Sequence, residues 1–237
     1  MNTYYEKIQF VKRKISQYLE DIFKVYGNEL LLQLEDYNLL TNKNNCIETS
    51  TATGFIIEEF ITSKLEIYTK NHRQKSEVNV FKLKERTTAN SSYDCYAEYD
   101  NIFFMINIKV QKEGSENNAV AAINILHNDY VNKELAKKKC YIVLKTLYNF
   151  GVSPADNQRK IIIKGIDGYC LEEIDFSSGY KQDHRNWSSK FNANSGRLQV
   201  PKSWLRNYKL AKEKVSYSRT KNFIDDIYNN IIPEIKK

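Results

Sequence analysis

The residues best suited to chemistry fall between Asp94 and Lys109. The run Ile102–Val110 (IFFMINIKV) is dense in apolar and β-prone residues and reads as a strand. Alternation along a strand puts Phe103, Met105, Asn107 and Lys109 on one face and Phe104, Ile106, Ile108 and Val110 on the other. An amide and an ammonium group two residues apart, at the end of so apolar a segment, cost free energy unless they are paired or put to use. Residues 93–98 predict a neighbouring strand, with Tyr99-Asp100-Asn101 as the turn between the two. Such a hairpin brings Asp94 to the end of the strand that carries Asn107 and Lys109. A carboxylate, a second oxygen ligand and a lysine within a few ångströms are what hydrolysis of a phosphodiester requires. The oxygens of Asp94 and Asn107, with the backbone carbonyl of Ile108, can hold a hard divalent ion. Such an ion polarises a phosphate and lowers the pKa of bound water. Lys109 would orient or help deprotonate that water and offset charge on the phosphorane. The plain alternatives are a snorkelling lysine, an amide in a bulge or turn, and an aspartate that starts a hairpin.

The surrounding elements must position these groups. Apolar spacing predicts a helix over 5–26, with Ile8, Val11, Ile15, Tyr18, Leu19 and Ile22 on one stripe and Gly27 as its stop. A short apolar segment, Leu30 to Leu34, and a polar loop, TNKNNC, follow. Thr53 is placed to cap a second helix, whose stripe is Ile56, Ile57, Phe60, Ile61, Leu65 and Tyr68. Residues 78–84 alternate like a strand. After the 102–110 strand come a polar loop, QKEGSENN, and a helix over about 118–138. Strands are predicted at 140–148 and 160–166, a tight turn at Gly165–Gly168, and a final helix over 222–232. This order argues for an α/β chain, a mixed β-sheet flanked by helices. A single domain over 1–237 is expected, with an N-terminal helical region (1–50), a core that carries the chemistry (53–170) and a basic segment (181–221).

The charge is uneven. The 237 residues carry a formal net charge of +7, yet the stretch from Lys181 to Lys221 holds eleven basic residues against two acids, Asp183 and Glu213. Trp187, Phe191, Trp204, Tyr208 and Tyr217 are interleaved through it. That mixture suits a surface that contacts phosphates. Lys181, Gln182, Arg185, Asn186, Lys190, Asn192, Asn194, Arg197, Gln199 and Lys202 are its candidate nucleic-acid contacts. Ser91 and Ser92, just before Asp94, and Gln111, Lys112, Asn117 and Asn118, in the loop after the central strand, are further candidates. An RNA-binding protein is a rival reading, because aromatic and basic residues also suit stacked single strands. Other classes recede. The opening MNTYYEKIQF shows no secretory signal, no run approaches a membrane span, and no lipidation signal accompanies the basic segment. Cys46, Cys95, Cys140 and Cys170 are dispersed and His72, His127 and His184 match no ligand spacing, so reduced thiols in a cytoplasmic protein are expected. No glycine-rich phosphate loop is present.

With these residues in view, the chain resembles the PD-(D/E)xK nuclease superfamily, best represented by type II restriction endonucleases. Its core order of helix, three-strand meander, crossover helix and further strands matches residues 53–166. The first signature acid falls on Asp94 and the tripeptide on Asn107-Ile108-Lys109. Tyr93 stands where many members have proline, and Asn107 replaces the second acid, as it does in some restriction enzymes. The resemblance implies a restriction-endonuclease-like core and Mg2+-dependent cleavage of double-stranded DNA at a short specific site. It also implies a homodimer and a cognate DNA methyltransferase encoded nearby. Members often recruit a glutamate from the helix before the meander, and here both Glu58 and Glu59 qualify. Glu98, Asp100 and Glu113 are weaker candidates. The neutral Asn107 also leaves room for a catalytically inactive module that only binds DNA.

Overall fold

The computed structural model describes residues 3–31, 50–72, 76–83, 90–115, 118–133, 135, 137–157, 159–176, 196–200, 202–207 and 209–229. Among these residues, six strands form one mixed sheet in the order β1-β7-β6-β4-β3-β2, and β5 and β8 form a separate two-stranded ribbon. The strands are β1 (Glu29–Leu31), β2 (Asn79–Lys82), β3 (Cys95–Tyr99), β4 (Ile102–Lys112), β5 (Ala119–Ala122), β6 (Lys138–Val152), β7 (Arg159–Cys170) and β8 (Arg197–Gln199). The helices are α1 (Tyr4–Tyr26), α2 (Ser50–Asn71), α3 (Ile123–His127), α4 (Lys202–Asn207) and α5 (Tyr217–Tyr228).

Local chemistry explains the first elements. Thr3 and Glu6 form a reciprocal capping box at the start of α1, and Gly27, at φ +75°, closes its end by donating its N–H to Phe23 O. The predicted apolar stripe of α1 is its buried face. The β3–β4 hairpin turns on Asp100 and Asn101, both at positive φ (46° and 63°), the pairing that lets two residues reverse a right-twisted ribbon. β4 then lies between β3, antiparallel, and β6, parallel. Strands buried on both sides are apolar throughout, which is why β4 shows so few polar residues.

The alternation of β4 divides two apolar cores. Phe104, Ile106 and Ile108 pack with the buried faces of α1 and α2. Met105 packs on the opposite face with Val120, Ile123, Leu126, Tyr130, Tyr141 and residues of α5. The 1–50 region is not purely helical, since β1 joins the sheet edge against β7.

Four expectations are corrected. The segment 118–138 is not one helix: β5, α3 and a π-turn (Asn128–Asn132) occupy it before β6 starts. Pairing of β5 with β8 overrides the helix preference of its alanines. Helix α2 begins at Ser50, so Thr53 is a buried residue of its first turn and not the cap. Gly165–Gly168 is not a turn but part of β7, where the register slips against Leu147 and Tyr148 as a bulge. The last helix starts earlier than expected, at Tyr217, because the Ser216 hydroxyl accepts from Arg219 N–H and caps it. His127 is buried between Asp225 (2.8 Å) and the ring of Tyr228. Cys95, Cys140 and Cys170 are buried thiols, as expected, while Cys46 lies outside the described residues. No described helix is long and apolar enough to cross a membrane.

Candidate active site

The hairpin register brings the predicted residues together. Cys95 pairs with Ile106, the last pair of the hairpin, and Asp94 N–H donates to the carbonyl of that same residue, Ile106 O (2.8 Å), so Asp94 sits just beyond the paired end of β3. The Asp94 carboxylate accepts from the Ile108 N–H at 2.5 Å. In a strand the N–H and C=O of one residue project to the same side, so the Ile108 carbonyl also faces the Asp94 side. Asp94 and Asn107 are both buried.

Asn107 is held with unusual completeness. Its Nδ2 donates to Ser92 O (2.8 Å) and Val120 O (2.9 Å) and lies 2.7 Å from the Tyr141 hydroxyl. Val120 has no partner in the β5–β8 register, so its carbonyl depends on this amide. Two carbonyls can only accept, which fixes the nitrogen on their side and turns Oδ1 away from them. Oδ1 is a buried oxygen with no hydrogen-bond partner among the described residues.

Asn107 and Lys109 line a cavity of ≈160 Å³ together with Ser91, Ala122, Ile125 and Arg197. Asp94 is not part of its wall. Lys109 is half-buried and sits beside Lys145 in the β4–β6 register, with Asp167 opposite Lys145 on β7. Lys145 and Asp167 were missed in the sequence, although period-two alternation already put Lys145 on the face of Tyr141 and Val143.

The glutamates of α2 divide. The Glu59 carboxylate is engaged by Lys82 and by Ser63, and these charge partners hold it below the ordinary carboxylate range. Lys82 is registered against Cys95, on the α1–α2 side of the sheet, so Glu59 is not brought to Asn107 and Lys109. Glu58 is half-buried on the same helix. Glu98, Asp100 and Glu113 are bound elsewhere, by Lys137, Lys7 and Asn149.

The loop before Asp94 has its own anchor. Asp129, buried in the π-turn, accepts from Ser92 N–H (2.7 Å) and Ser92 Oγ (2.8 Å), and also pairs with Lys133. Lys139 caps that turn from beneath, donating to the carbonyls of Asp129, Tyr130 and Lys133, and burial brings its ammonium down to about 8. Sequence reading missed Asp129 because it was assigned to a regular helix.

Two expected DNA contacts are therefore corrected. Ser92 is buried with both donors committed to Asp129, and Gln111 is buried with its amide donating to Ser115 O. Ser91 and Asn118 are half-buried, as is Lys112, which rests over the Phe150 ring. Arg197 and Lys202 are exposed and Gln199 is half-buried. Asn117, Lys181, Gln182, Arg185, Asn186, Lys190, Asn192 and Asn194 lie outside the described residues. Not all the basic segment faces outward: Arg219 is half-buried and donates to the carbonyls of Glu172 and Ile174.

A second group of possible ligands, Cys140, Cys170 and Glu172, lies fully buried with ligand atoms within 4.8 Å of one another. Its carboxylate already accepts from Tyr130 OH, Tyr141 N–H and Cys140 Sγ. Burial raises both thiols and brings Glu172 up to about 7. The group is a satisfied network of neutral donors and acceptors inside the core. At the Asn107 site the donor set differs: an orphaned amide oxygen, a nearby carboxylate and a strand carbonyl are hard ligands of the kind Mg2+ takes.

No protein-family model matches this chain, and no curated protein matches it either. Among solved structures it is similar to the NlaIV restriction endonuclease, at 12% sequence identity and a TM-score of 0.42, over 95% of this chain and 92% of that one.

Proposed function

We propose that this chain is a divalent-metal-dependent endonuclease that hydrolyses double-stranded DNA at a short specific sequence, in the manner of a type II restriction enzyme. One observation carries the reading: the Asp94 carboxylate is bonded to the Ile108 N–H, between Asn107 and Lys109, and those two residues line one cavity. Asp94, the Asn107 amide oxygen and the Ile108 carbonyl would hold Mg2+. A bound Mg2+ would supply Lewis acidity toward a phosphate oxygen and an acidified water. Lys109 orients the attacking water and offsets charge on the phosphorane. The exposed cations of β8 and α4 hold the duplex by its phosphates. Action as a homodimer on a palindromic site, with a methyltransferase encoded nearby, belongs to the same proposal.

The test is supercoiled and phage DNA incubated with Mg2+, native chain against Lys109→Ala and Asp94→Asn. The asparagine variant keeps an acceptor for the Ile108 N–H, so the fold is retained. Discrete fragments from the native chain, absent with both variants, support the reading. Tight duplex binding without cleavage in Mg2+ or Mn2+ refutes it. That second outcome is what the alternative predicts, an inactive DNA-binding module. It is favoured by the burial of Asp94 and Asn107 and by their internal hydrogen bonds.

A further inference from the structure

Arg197 is the first residue of β8 and is paired with Ala122 of β5. Its backbone position is fixed from three directions. Ile123 N–H donates to Gly196 O (2.9 Å) on one side, and Val200 N–H donates to Asn118 O (2.8 Å) at the other end of the ribbon. Leu198 and Val200 are fully buried in the core beside Tyr130 and Ile123, so strand alternation turns Arg197 and Gln199 the other way. The ribbon is in turn tied to the central strand, because the Asn107 amide donates to Val120 O. Arg197, an exposed residue, thereby stands in the lining of the same cavity that Asn107 and Lys109 line.

The cavity's size and lining narrow what enters it. At ≈160 Å³ it is well below the roughly 300–1,000 Å³ of pockets that enclose whole organic ligands. Ala119, Ala121 and Ala122 keep one wall low, while two cations, Lys109 and Arg197, stand on it. A small tetrahedral anion satisfies that arrangement, and a flat base does not. The planar fork of arginine matches two phosphate oxygens at once, which a lysine cannot do.

We propose that Arg197 grips the phosphate to be cleaved and positions it against Lys109 and Asn107, rather than reading a base or a distant phosphate. This rests on the nuclease reading above. Binding of a labelled random-sequence duplex to the full chain is first measured in EDTA across a salt series, for native, Arg197→Ala and Arg197→Lys proteins. One lost phosphate contact lowers the salt slope by about 0.9 in Arg197→Ala, and Arg197→Lys retains the native slope. Single-turnover cleavage at saturating DNA in Mg2+ is then compared. Arg197→Ala slows it roughly 100-fold, with Arg197→Lys intermediate. An unchanged salt slope overturns the assignment. So does a loss confined to KM with the rate at saturation kept, since that places Arg197 on a flanking phosphate. Absence of duplex binding by the native chain instead removes the nuclease reading itself, a result distinct from either.

Discussion

Replacing Asn107 by aspartate would install the second acid of the nuclease motif that the sequence resembles, and the structure predicts that it harms this chain. The Asn107 Nδ2 is the donor for two carbonyls, Ser92 O and Val120 O, at 2.8 and 2.9 Å. A carboxylate there donates to neither and sets oxygen against oxygen in a buried site. Ser92 O keeps the Tyr141 hydroxyl as a donor, but Val120 O has no register partner. A buried acceptor left unsatisfied costs about 1–3 kcal/mol, and more where a charge is added. The Asp94 carboxylate is bonded to the N–H of the next residue, Ile108, so a like charge stands close to the new one. A loss of about 3–4 kcal/mol follows at neutral pH, or roughly 6–15 °C in Tm for a chain of this size. Acid narrows the deficit, because protonation of the introduced carboxyl removes its charge and restores one donor. The assay is urea and thermal unfolding of Asn107→Asp and native protein at pH 5 and pH 8, alongside Mg2+-dependent cleavage. Equal stability at both pH values with faster cleavage would refute the reasoning, since it would mean that the two carbonyls do not depend on a donor at position 107.

Three further outcomes are expected. Lys109→Ala abolishes cleavage by at least about 100-fold while duplex affinity at low salt falls less than tenfold, checked by single-turnover kinetics beside anisotropy. Asp129→Ala frees both Ser92 donors and costs about 2–4 kcal/mol; it lowers the cleavage rate more than the affinity, and an unaltered rate would show that the loop before Asp94 needs no such anchor. Glu172, brought up to about 7 by burial from an ordinary 4.5, holds a proton in the folded state that the unfolded chain has released. Its contribution is therefore full below about pH 4.5 and is lost as pH rises through about 7, a change of about 3 kcal/mol. Glu172→Gln removes that slope, so a native-minus-variant stability difference that does not vary from pH 5 to 8 would sink the assignment.

How much of this was legible in the sequence depended on whether the signal was local. The α1 stripe, the hairpin turn at Asp100-Asn101 and the two faces of β4 follow from period and turn chemistry within a few residues, and they stand in the structure. The approach of Asp94 to the segment that carries Asn107 and Lys109 was also local, because one short turn folds the two strands back on each other. What escaped was set by distant pairing. Ala119–Ala122 has helix-forming residues and becomes a strand because Arg197–Gln199, far along the chain, pairs with it. Misreading that segment hid Asp129 and the carbonyl of Val120, and with them the reason Asn107 is there. Glu58 and Glu59 are adjacent on one helix, and only the position of Lys82 on β2 separates them.

The amide at position 107 thereby has an account that does not treat it as a worn acid. Through one nitrogen it joins the loop before Asp94 and the bulged ribbon strand that leads to Arg197, and it lies against Tyr141 of β6. A carboxylate at the same position could bind a metal more tightly but could not donate to Ser92 O or Val120 O. An amide can do both tasks in part, offering Oδ1 as a neutral ligand while Nδ2 holds three pieces of chain in register. On the proposed reading, the loss of one negative charge would fall on the remaining oxygens and would make Asp94 indispensable for metal affinity. Lys109 and Arg197 have correspondingly less negative charge beside them to offset their pull on a phosphate. Substrate affinity at this site should accordingly depend more on its cations, and hence on salt, than at a site built on two acids.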